Sequence, residues 1–292
     1  MPNPSADGAP MSFQRVGIVA KAASREALRT AGELAEWLAR REVEVLLDEA
    51  TGRARGGREG SYSPQVAVDL VVVLGGDGTL LAVARSLSAP TPILGVNMGS
   101  LGFLTEVGRS ELYPSMVRVL SGQFTTEDRA LLEVELRRVG GQSLSFRVLN
   151  DAVIAKSALA RIIQLTLTVD GQLVGHFRAD GLIVSTPTGS TAYNLSAGGP
   201  ILCPELPVAV ITPICPHALS LRPLVVPDGS LVEVTLETQR EEVYLTLDGQ
   251  EGTSLGFQDR VQIRRGEGRV RLVKTSGRSF YESLRGKLRW GG

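Results

Sequence analysis

The chain has 292 residues, a length that corresponds to about two domains of ordinary size. Hydrophobic residues make up 43% of it, which is enough for folded cores, and its 31 basic residues equal its 31 acidic ones. Because the formal charge is balanced, we expect no partnership with nucleic acid or with an anionic membrane. The two cysteines, Cys203 and Cys215, lack metal-ligand spacing and suggest a reducing compartment.

Two further exclusions concern membranes and export. No apolar run approaches the roughly 20 residues of a membrane span. The first ten residues, MPNPSADGAP, lack the charged and apolar regions of a signal peptide. The sequence therefore predicts a soluble cytoplasmic protein, with a disordered N-terminus over residues 1–13.

Residues 14–125 alternate short apolar strands with amphipathic helices, which is typical of a parallel α/β layer. The predicted strands cover 15–20, 43–47, 69–74 and 92–97, and the predicted helices cover 24–41 and 111–120. Residues 51–64, TGRARGGREGSYSP, interrupt this alternation. Their glycines and arginines favour a mobile surface loop over a phosphate-binding loop.

The third predicted strand breaks into Gly75, Gly76, Asp77, Gly78 and Thr79, after which helical spacing resumes. Its Val/Leu run suits a parallel strand buried on both faces, and ligands of open α/β sheets bind beyond the carboxyl ends of such strands. The helix start adds unpaired N–H groups and a positive dipole end that suit a phosphate. An ordinary Gly-rich turn with Asp77 as a helix N-cap explains the pattern about equally well.

From about Ala130 the hydrophobic pattern changes to period two, which predicts a β-rich domain over 126–275. Asp170 and Gly171 are predicted as a hairpin turn between two strands. The closing residues 279–290 have helical spacing and belong to a C-terminal segment over 276–292. The predicted strand runs are 131–139, 143–155, 162–177, 231–237, 243–250, 260–265 and 269–274.

Residues 180–200, DGLIVSTPTGSTAYNLSAGGP, concentrate seven hydroxyl side chains, several glycines and an isolated carboxylate in one segment. Such a segment offers hydrogen-bond donors and acceptors at close intervals, and long ordered loops tend to carry function. We therefore predict that it holds a polar ligand. The alternative is a polar connection between two strands, although connections are usually much shorter.

Several familiar sites are absent from the sequence. There is no G-x-x-x-x-G-K-[ST] P-loop and no G-x-G-x-x-G that opens a helix in a dinucleotide-binding unit, so a dehydrogenase is not favoured. His176 and His217 are too few and too separated in sequence for a catalytic triad or a zinc site. No residue is assigned as a metal ligand.

Several motifs follow one another along nearly the whole chain. They are GGDGTLL at 75–81, LGVNMGSLGFLTE at 94–106, LND at 149–151, FRADGLIVSTPTGSTAYNLSAGGPIL at 177–202, CPHALSLRPLVVP at 215–227, DGQ at 248–250 and the closing FYESLRGKLRWGG. In this order they closely resemble NAD kinase of the bacterial type. Many family members have Asn-Glu where this chain has Asn150-Asp151.

The resemblance implies transfer of the γ-phosphoryl group of ATP to the 2′-hydroxyl of the adenosine ribose of NAD, which gives NADP and ADP. It also implies Mg²⁺ or another divalent cation, a homodimer or homotetramer, and a C-terminal helix that packs back on the first domain. Asp77 would orient the hydroxyl and accept its proton, and Asn150 and Asp151 would hold the ribose or the adenine edge.

The other ligand-binding roles implied by the resemblance belong to residues spread over both domains. Tyr193 and Phe103 would contact a base, but they could equally be core aromatic residues. Arg161 could be a solvated surface charge, and Gln250 a hairpin residue after Asp248 and Gly249. The full set of predicted binding residues is Gly75, Gly76, Asp77, Gly78, Thr79, Phe103, Asn150, Asp151, Arg161, Arg178, Asp180, Thr188, Thr191, Ala192, Tyr193, Asn194, Leu195, Ser196 and Gln250.

Two functions from other classes stay open at this point. A diacylglycerol-type lipid kinase shares the GGDGT turn, but the chain shows no basic amphipathic helix for a membrane surface. A non-catalytic NAD(P)-binding sensor would keep the pocket and lose turnover, and the presence of Asp77 argues against it.

Overall fold

A computed structural model describes residues 13–54, 62–87, 89–99, 102–218 and 220–290. The strands are β1 (Arg15–Ala20), β2 (Glu44–Leu47), β3 (Leu70–Gly75), β4 (Ile93–Asn97), β5 (Val107–Gly108), β6 (Thr125–Arg137), β7 (Ser143–Val148), β8 (Asp151–Lys156), β9 (Ile163–Val169), β10 (Gln172–Ala179), β11 (Gly181–Ser185), β12 (Val208–Ile214), β13 (Leu224–Pro227), β14 (Val232–Leu236), β15 (Val243–Leu247), β16 (Glu251–Leu255) and β17 (Arg260–Lys274). The helices are α1 (Arg25–Ala39), α2 (Glu49–Ala54), α3 (Asp77–Ser86), α4 (Leu112–Leu120), α5 (Tyr193–Ser196) and α6 (Phe280–Leu288), with 3₁₀ turns at Arg109–Glu111 and Gly189–Thr191.

The chain divides into two compact units. The first comprises residues 1–127 and 271–292, and the second comprises residues 128–270. The domain boundaries predicted from the sequence lie between residues 125 and 126 and between residues 275 and 276. Of the N-terminal segment predicted to be disordered, only Phe13 lies within the described residues, where it is buried with its ring 5.6 Å from that of Phe124. None of the described helices has the length and apolar character that crossing a membrane requires.

The first unit is built on a parallel sheet in the order β2, β1, β3, β4. The last residues of β17 join beside β4, with Leu272 paired to Ile93. Every residue of β3 is buried, as its continuous apolar run predicted. The predicted α/β class is therefore confirmed. The closing helix α6 belongs to this unit, and Ser279 and Glu282 form a capping box at its start.

The predicted mobile loop over 51–64 is wrong at both ends. Its first residues finish helix α2, which begins after Asp48, whose carboxylate accepts a hydrogen bond from Thr51 N at 3.3 Å. Near its other end Tyr62 is buried, and its ring lies so close to Gly17 that a Cβ there would meet it at 2.7 Å. Composition favoured a loop because glycine and arginine are frequent in this segment, but composition does not reveal that Tyr62 packs against Gly17. Residues 55–61 lie outside the described part of the chain.

The second unit contains two antiparallel arrangements of strands around one core, which confirms the β-rich prediction. One has the order β10, β9, β14, β17, and β17 also pairs with β6, which pairs with β7. The other has the order β13, β12, β11, β8, β15, β16. The predicted hairpin turn is confirmed, since Asp170 and Gly171 join β9 to β10 with φ of 51° and 75°.

Three strand predictions need correction. The run 143–155 is two strands, because Leu149 and Asn150 leave the strand pattern where their N–H groups bind Asp248. The runs 260–265 and 269–274 are one strand, β17, which passes through Gly268 at φ 77°. Strands β11 and β12 were not predicted, because nearly all of their residues are buried and they show no alternation.

Candidate active site

The predicted strand, turn and helix around Asp77 are present in the first unit. Strand β3 ends at Gly75, Gly76 is the N-cap, and Asp77 is the first residue of α3. The half-buried Asp77 side chain turns away from the cap position. Its Oδ2 accepts a hydrogen bond from Phe103 N at 2.8 Å, and its Oδ1 accepts from Leu104 N at 3.2 Å and Thr105 N at 3.0 Å. The alternative of Asp77 as a helix N-cap is therefore wrong.

Two glycines allow this close approach of backbone and side chains. A Cβ on Gly102 would stand 1.9 Å from Asp77 Oδ1, and a Cβ on Gly75 would stand 2.4 Å from Thr79 Oγ1. The other two predicted glycines have open surroundings: a Cβ at Gly76 would meet nothing within 4 Å, and Gly78 is exposed. Their predicted contact with a phosphate or with NAD stays a prediction.

In the second unit, three of the sequence motifs meet at one end of a sheet. Strand β8 begins at Asp151, and it runs antiparallel between β11, which ends at Ser185, and β15, which ends at Leu247. The loop at 149–151 is held by a carboxylate from the DGQ motif. Asp248 accepts hydrogen bonds from Leu149 N, Asn150 N and Asp151 N at 3.1, 2.7 and 3.1 Å.

Two buried carboxylates thus lie close together at this sheet end. Asp151 is only 3% exposed, and burial, together with the charge of Asp248, raises the pKa of Asp151 to about 7. Its charge therefore changes near neutral pH. Sequence reasoning treated Asp248 as a turn residue, and its φ of 49° is that of a turn. Nothing in the local sequence distinguishes this role from its contact with residues about a hundred positions earlier.

The hydroxyl-rich segment at 180–200 is strand β11, a 3₁₀ turn and helix α5. Much of its polarity serves the fold. Ser185, Thr186 and Ser190 are fully buried or nearly so. Their hydroxyls donate to Asn150 O at 3.1 Å, Leu149 O at 2.6 Å and Pro187 O at 2.6 Å, respectively. These three hydroxyls, which are not among the predicted binding residues, are therefore used within the protein, and binding of a polar ligand by this segment stays a prediction.

Asn194 has a structural position as well. It is fully buried, and its Nδ2 donates to Ser190 O and Pro200 O, both at 3.0 Å. Its Oδ1 accepts from Thr212 Oγ1 at 2.6 Å, and a Cβ on Gly199 would come within 2.0 Å of that same oxygen. These contacts use three of the four hydrogen-bonding positions of the amide. Asn194 therefore fixes the shape of the segment rather than facing a ligand.

Other predicted residues of this segment do face solvent. Tyr193 is 45% exposed, which suits a stacking surface better than a core position, and Ser196 is exposed beside it. The remaining predicted residues of the segment are partly or fully buried, namely Thr188, Thr191, Ala192 and Leu195.

The structure does not bring every predicted residue to this sheet end. Asp180 precedes β11, whose two ends lie roughly 13 Å apart at about 3.3 Å per residue. Asp180 Oδ1 instead lies 3.7 Å from Lys156 Nζ. Arg161 and Arg178 are exposed. Gln250 does lie at this sheet end, because it follows Asp248 in the hairpin between β15 and β16, and it is exposed there. Within the described ranges, no group of three or more His, Cys, Asp or Glu side chains is arranged to hold a metal ion.

Comparison with known proteins identifies the family. Residues 16–124 match the model of the ATP-NAD kinase N-terminal domain, and residues 149–275 match that of the ATP-NAD kinase C-terminal domain. The NAD kinase of Syntrophotalea carbinolica is 47% identical over 283 residues, with 96% of this chain and 99% of that protein covered. The NAD kinase of Geobacter sulfurreducens is 48% identical over 282 residues, with the same coverage.

Solved structures give the same answer. Yeast NADH kinase complexed with NADH aligns with a TM-score of 0.89 at 25% identity and covers 97% of this chain and 89% of its own. An NAD kinase from Archaeoglobus fulgidus in complex with ATP aligns with a TM-score of 0.74 at 28% identity and covers 95% and 100%. The prediction of an ATP-dependent NAD kinase is confirmed, and neither the lipid kinase nor the sensor is favoured. The chain belongs to the NAD kinase family.

Proposed function

We propose that Asp77 orients the 2′-hydroxyl of the adenosine ribose of NAD and accepts its proton as the γ-phosphoryl group of ATP is transferred. The observation that carries this role is the way its carboxylate is held. Backbone N–H groups of Phe103, Leu104 and Thr105 fix both of its oxygens, while the side chain stays half-buried and open to solvent. A fixed and accessible carboxylate is what a positioned general base requires.

The chemistry of phosphoryl transfer suits such a residue. The transition state is loose, so the enzyme mainly aligns the attacking oxygen with the phosphorus and neutralises charge on the phosphoryl oxygens. A carboxylate is a much weaker base than an alkoxide, so the proton moves late, as the new P–O bond forms. Asp77 then acts more by orienting the hydroxyl than by deprotonating it in advance.

The sheet end in the second unit supports contacts to the dinucleotide. We assign Asn150 and Asp151 to the ribose or the adenine edge, with Asp248 holding their backbone, and exposed Tyr193 and Ser196 to the ligand surface. Known complexes of similar proteins contain NADH or ATP. From the family resemblance we also assign Phe103 to adenine, Arg161 and Arg178 to phosphates, Asp180 to a ribose hydroxyl or amide, and Gln250 to the far end of the ligand.

The divalent cation belongs to the nucleotide in this proposal. Mg²⁺ would arrive bound to the phosphates of ATP and neutralise part of their charge. The sequence contains no P-loop motif whose lysine could do this. We also propose, from the family resemblance, a cytoplasmic homodimer or homotetramer. Light scattering during gel filtration measures the assembly, and full activity in excess chelator would rule out the cation.

Asp77→Asn tests the central role. The amide oxygen can take the place of Oδ1, which faces two N–H groups, so the amide nitrogen replaces Oδ2 and removes the acceptor for the substrate hydroxyl. We expect the fold and most of the NAD affinity to be kept while turnover falls by about 100-fold or more. Binding is measured by calorimetry, and transfer by radiolabelled ATP with NAD and, in parallel, diacylglycerol. Equal turnover in variant and parent would remove Asp77 from the mechanism, and label on diacylglycerol would change the acceptor.

A further inference from the structure

In the first unit, two buried polar side chains, Asn97 and Thr105, are linked to Asp77 by hydrogen bonds. Thr105 is 0% exposed and Asn97, the last residue of β4, is 4% exposed. The Thr105 hydroxyl donates to Asp77 Oδ1 at 2.8 Å, and Asn97 Nδ2 donates to Thr105 Oγ1 at 2.8 Å. The three side chains therefore form a continuous relay from β4 to the carboxylate.

The direction of the relay is fixed by its far end. Asn97 Oδ1 accepts a hydrogen bond from Gly99 N at 2.7 Å, and a backbone N–H can only donate. The NH₂ group of Asn97 must therefore face Thr105, where it occupies an acceptor position of the hydroxyl. The Thr105 hydrogen is then free to point at Asp77, and an ionised carboxylate can only accept it. Only this orientation of the Thr105 hydroxyl lets it accept from Asn97 Nδ2 and donate to Asp77 Oδ1 at the same time.

The two oxygens of Asp77 are unequally used as a result. Oδ1 accepts from Leu104 N, Thr105 N and the Thr105 hydroxyl, which exceeds its two lone pairs. Within the described residues, Oδ2 accepts only from Phe103 N. The one unused acceptor position of the carboxylate therefore belongs to Oδ2.

We infer that Asn97 and Thr105 are positioning residues that hold Asp77 Oδ1, so that Oδ2 is the oxygen that receives the proton of the substrate hydroxyl. This inference rests on the proposed role of Asp77. Neither residue needs to touch a substrate, since both act through the orientation of one carboxylate. The arrangement resembles the way in which a buried acid orients a catalytic histidine.

Thr105 also packs, and the test has to separate packing from hydrogen bonding. Its Cγ2 lies 3.1 Å from the place of a Cβ on Gly95, so the methyl group fills space against β4. Thr105→Val keeps the shape and removes the hydroxyl, whereas Thr105→Ser keeps the hydroxyl and removes the methyl. Thr30→Val is the matched control, because Thr30 is also buried in this unit and its Oγ1 has no hydrogen-bond partner among the described residues.

The experiment is steady-state kinetics of purified full-length variants with NAD and Mg-ATP. We expect kcat to fall about 10-fold or more in Thr105→Val, with both Michaelis constants within about 3-fold of the parent, because a misdirected group lowers turnover rather than binding. Thr105→Ser should stay close to the parent, and Thr30→Val should be unchanged. Asn97→Ala, which frees the hydroxyl rotor, should lower kcat less than Thr105→Val does. Circular dichroism verifies that each variant is folded.

The decisive measurement adds Thr105→Val to Asp77→Asn. If Thr105 acts through Asp77, the double variant is no slower than Asp77→Asn alone, because the group that it orients is already lost. A further 10-fold loss in the double variant, or an unchanged kcat in Thr105→Val, would overturn the inference. Parental turnover of Asp77→Asn is a different result, since it would refute the proposed function itself.

Discussion

Asp151→Asn is expected to make the fold more stable at neutral and alkaline pH and to remove a pH dependence from its stability. The parent carboxyl is buried at the start of β8 beside Asp248, and burial followed by this neighbouring charge raises its pKa from 3.8 to about 7. Between these two values the folded chain holds a proton on Asp151 that the unfolded chain has released. Linkage then requires the free energy of unfolding to decrease as pH rises from about 4 to about 7 and to stay level above it.

The loss of stability can be estimated from the pH range between the two pKa values of Asp151, 3.8 in the unfolded chain and about 7 in the folded chain. Each pH unit across it is worth about 1.4 kcal/mol, so the ceiling for one group is about 4 kcal/mol. Local relaxation and the higher effective dielectric of a real protein reduce that figure. We expect Asp151→Asn to raise the free energy of unfolding by about 2 kcal/mol at pH 8 and by much less at pH 5, where the parent is already protonated.

Urea unfolding of parent and variant at pH 5, 6, 7 and 8 measures this difference directly. Other groups titrate in both proteins, so only the difference between the two curves reports on Asp151. If Asp151 also contacts NAD, as proposed, the Michaelis constant for NAD should change with pH near 7 in the parent and not in the variant. Parallel stability curves for the two proteins from pH 5 to pH 8 would show that Asp151 titrates normally and that the burial argument is wrong.

Two further predictions concern stability, both measured by urea unfolding at pH 7. Lys274 and Glu106 form an ion pair of which both members are nearly buried, and burial lowers the pKa of Lys274 to about 8. Lys274→Met should cost about 3–5 kcal/mol, and adding Glu106→Gln should recover most of it; an equal loss in the single and the double variant would contradict this account. Gly199→Ala should cost about 1–3 kcal/mol, because its Cβ would meet Asn194 at 2.0 Å, whereas Gly229→Ala, whose Cβ has open space, should be nearly neutral. An equal loss of unfolding free energy in Gly199→Ala and Gly229→Ala would show that Asn194 does not crowd position 199.

Local pattern was sufficient for most of the secondary structure. Alternation and helical spacing are properties of neighbouring residues, so β1, β9, β10 and α6 could be predicted to within one or two residues. Strand β12 lacks alternation and was missed, whereas β3, which is also buried along its whole length, was predicted from its continuous apolar run. The long strand β17 was divided into two, because a glycine inside a strand and a glycine in a turn look alike in sequence.

The candidate site was predicted in its residues and only partly in its contacts. The GGDGT motif located Asp77, but the N–H groups that bind its carboxylate come from 26 to 28 positions further along the chain. The segment at 180–200 was predicted to hold a polar ligand because of its hydroxyl groups, but those of Ser185, Thr186 and Ser190 donate to carbonyl groups of the protein. A hydroxyl serves a loop or a ligand equally well, and only the fold determines which of the two is within reach.

Each unit contains an aspartate whose carboxylate is held by backbone N–H groups, and the two aspartates differ in their exposure to solvent. Asp77 and Asp248 each accept hydrogen bonds from three backbone N–H groups of a short segment that carries predicted functional residues. Asp248 is buried, and its carboxylate oxygens hold the backbone of residues 149–151. Burial, together with the charge of Asp248, raises the pKa of Asp151 beside it. Asp77 is only partly buried, and within the described residues its Oδ2 accepts a single hydrogen bond, from Phe103 N. The same carboxylate geometry therefore stabilises a loop where it is closed off and can orient a substrate where it is open.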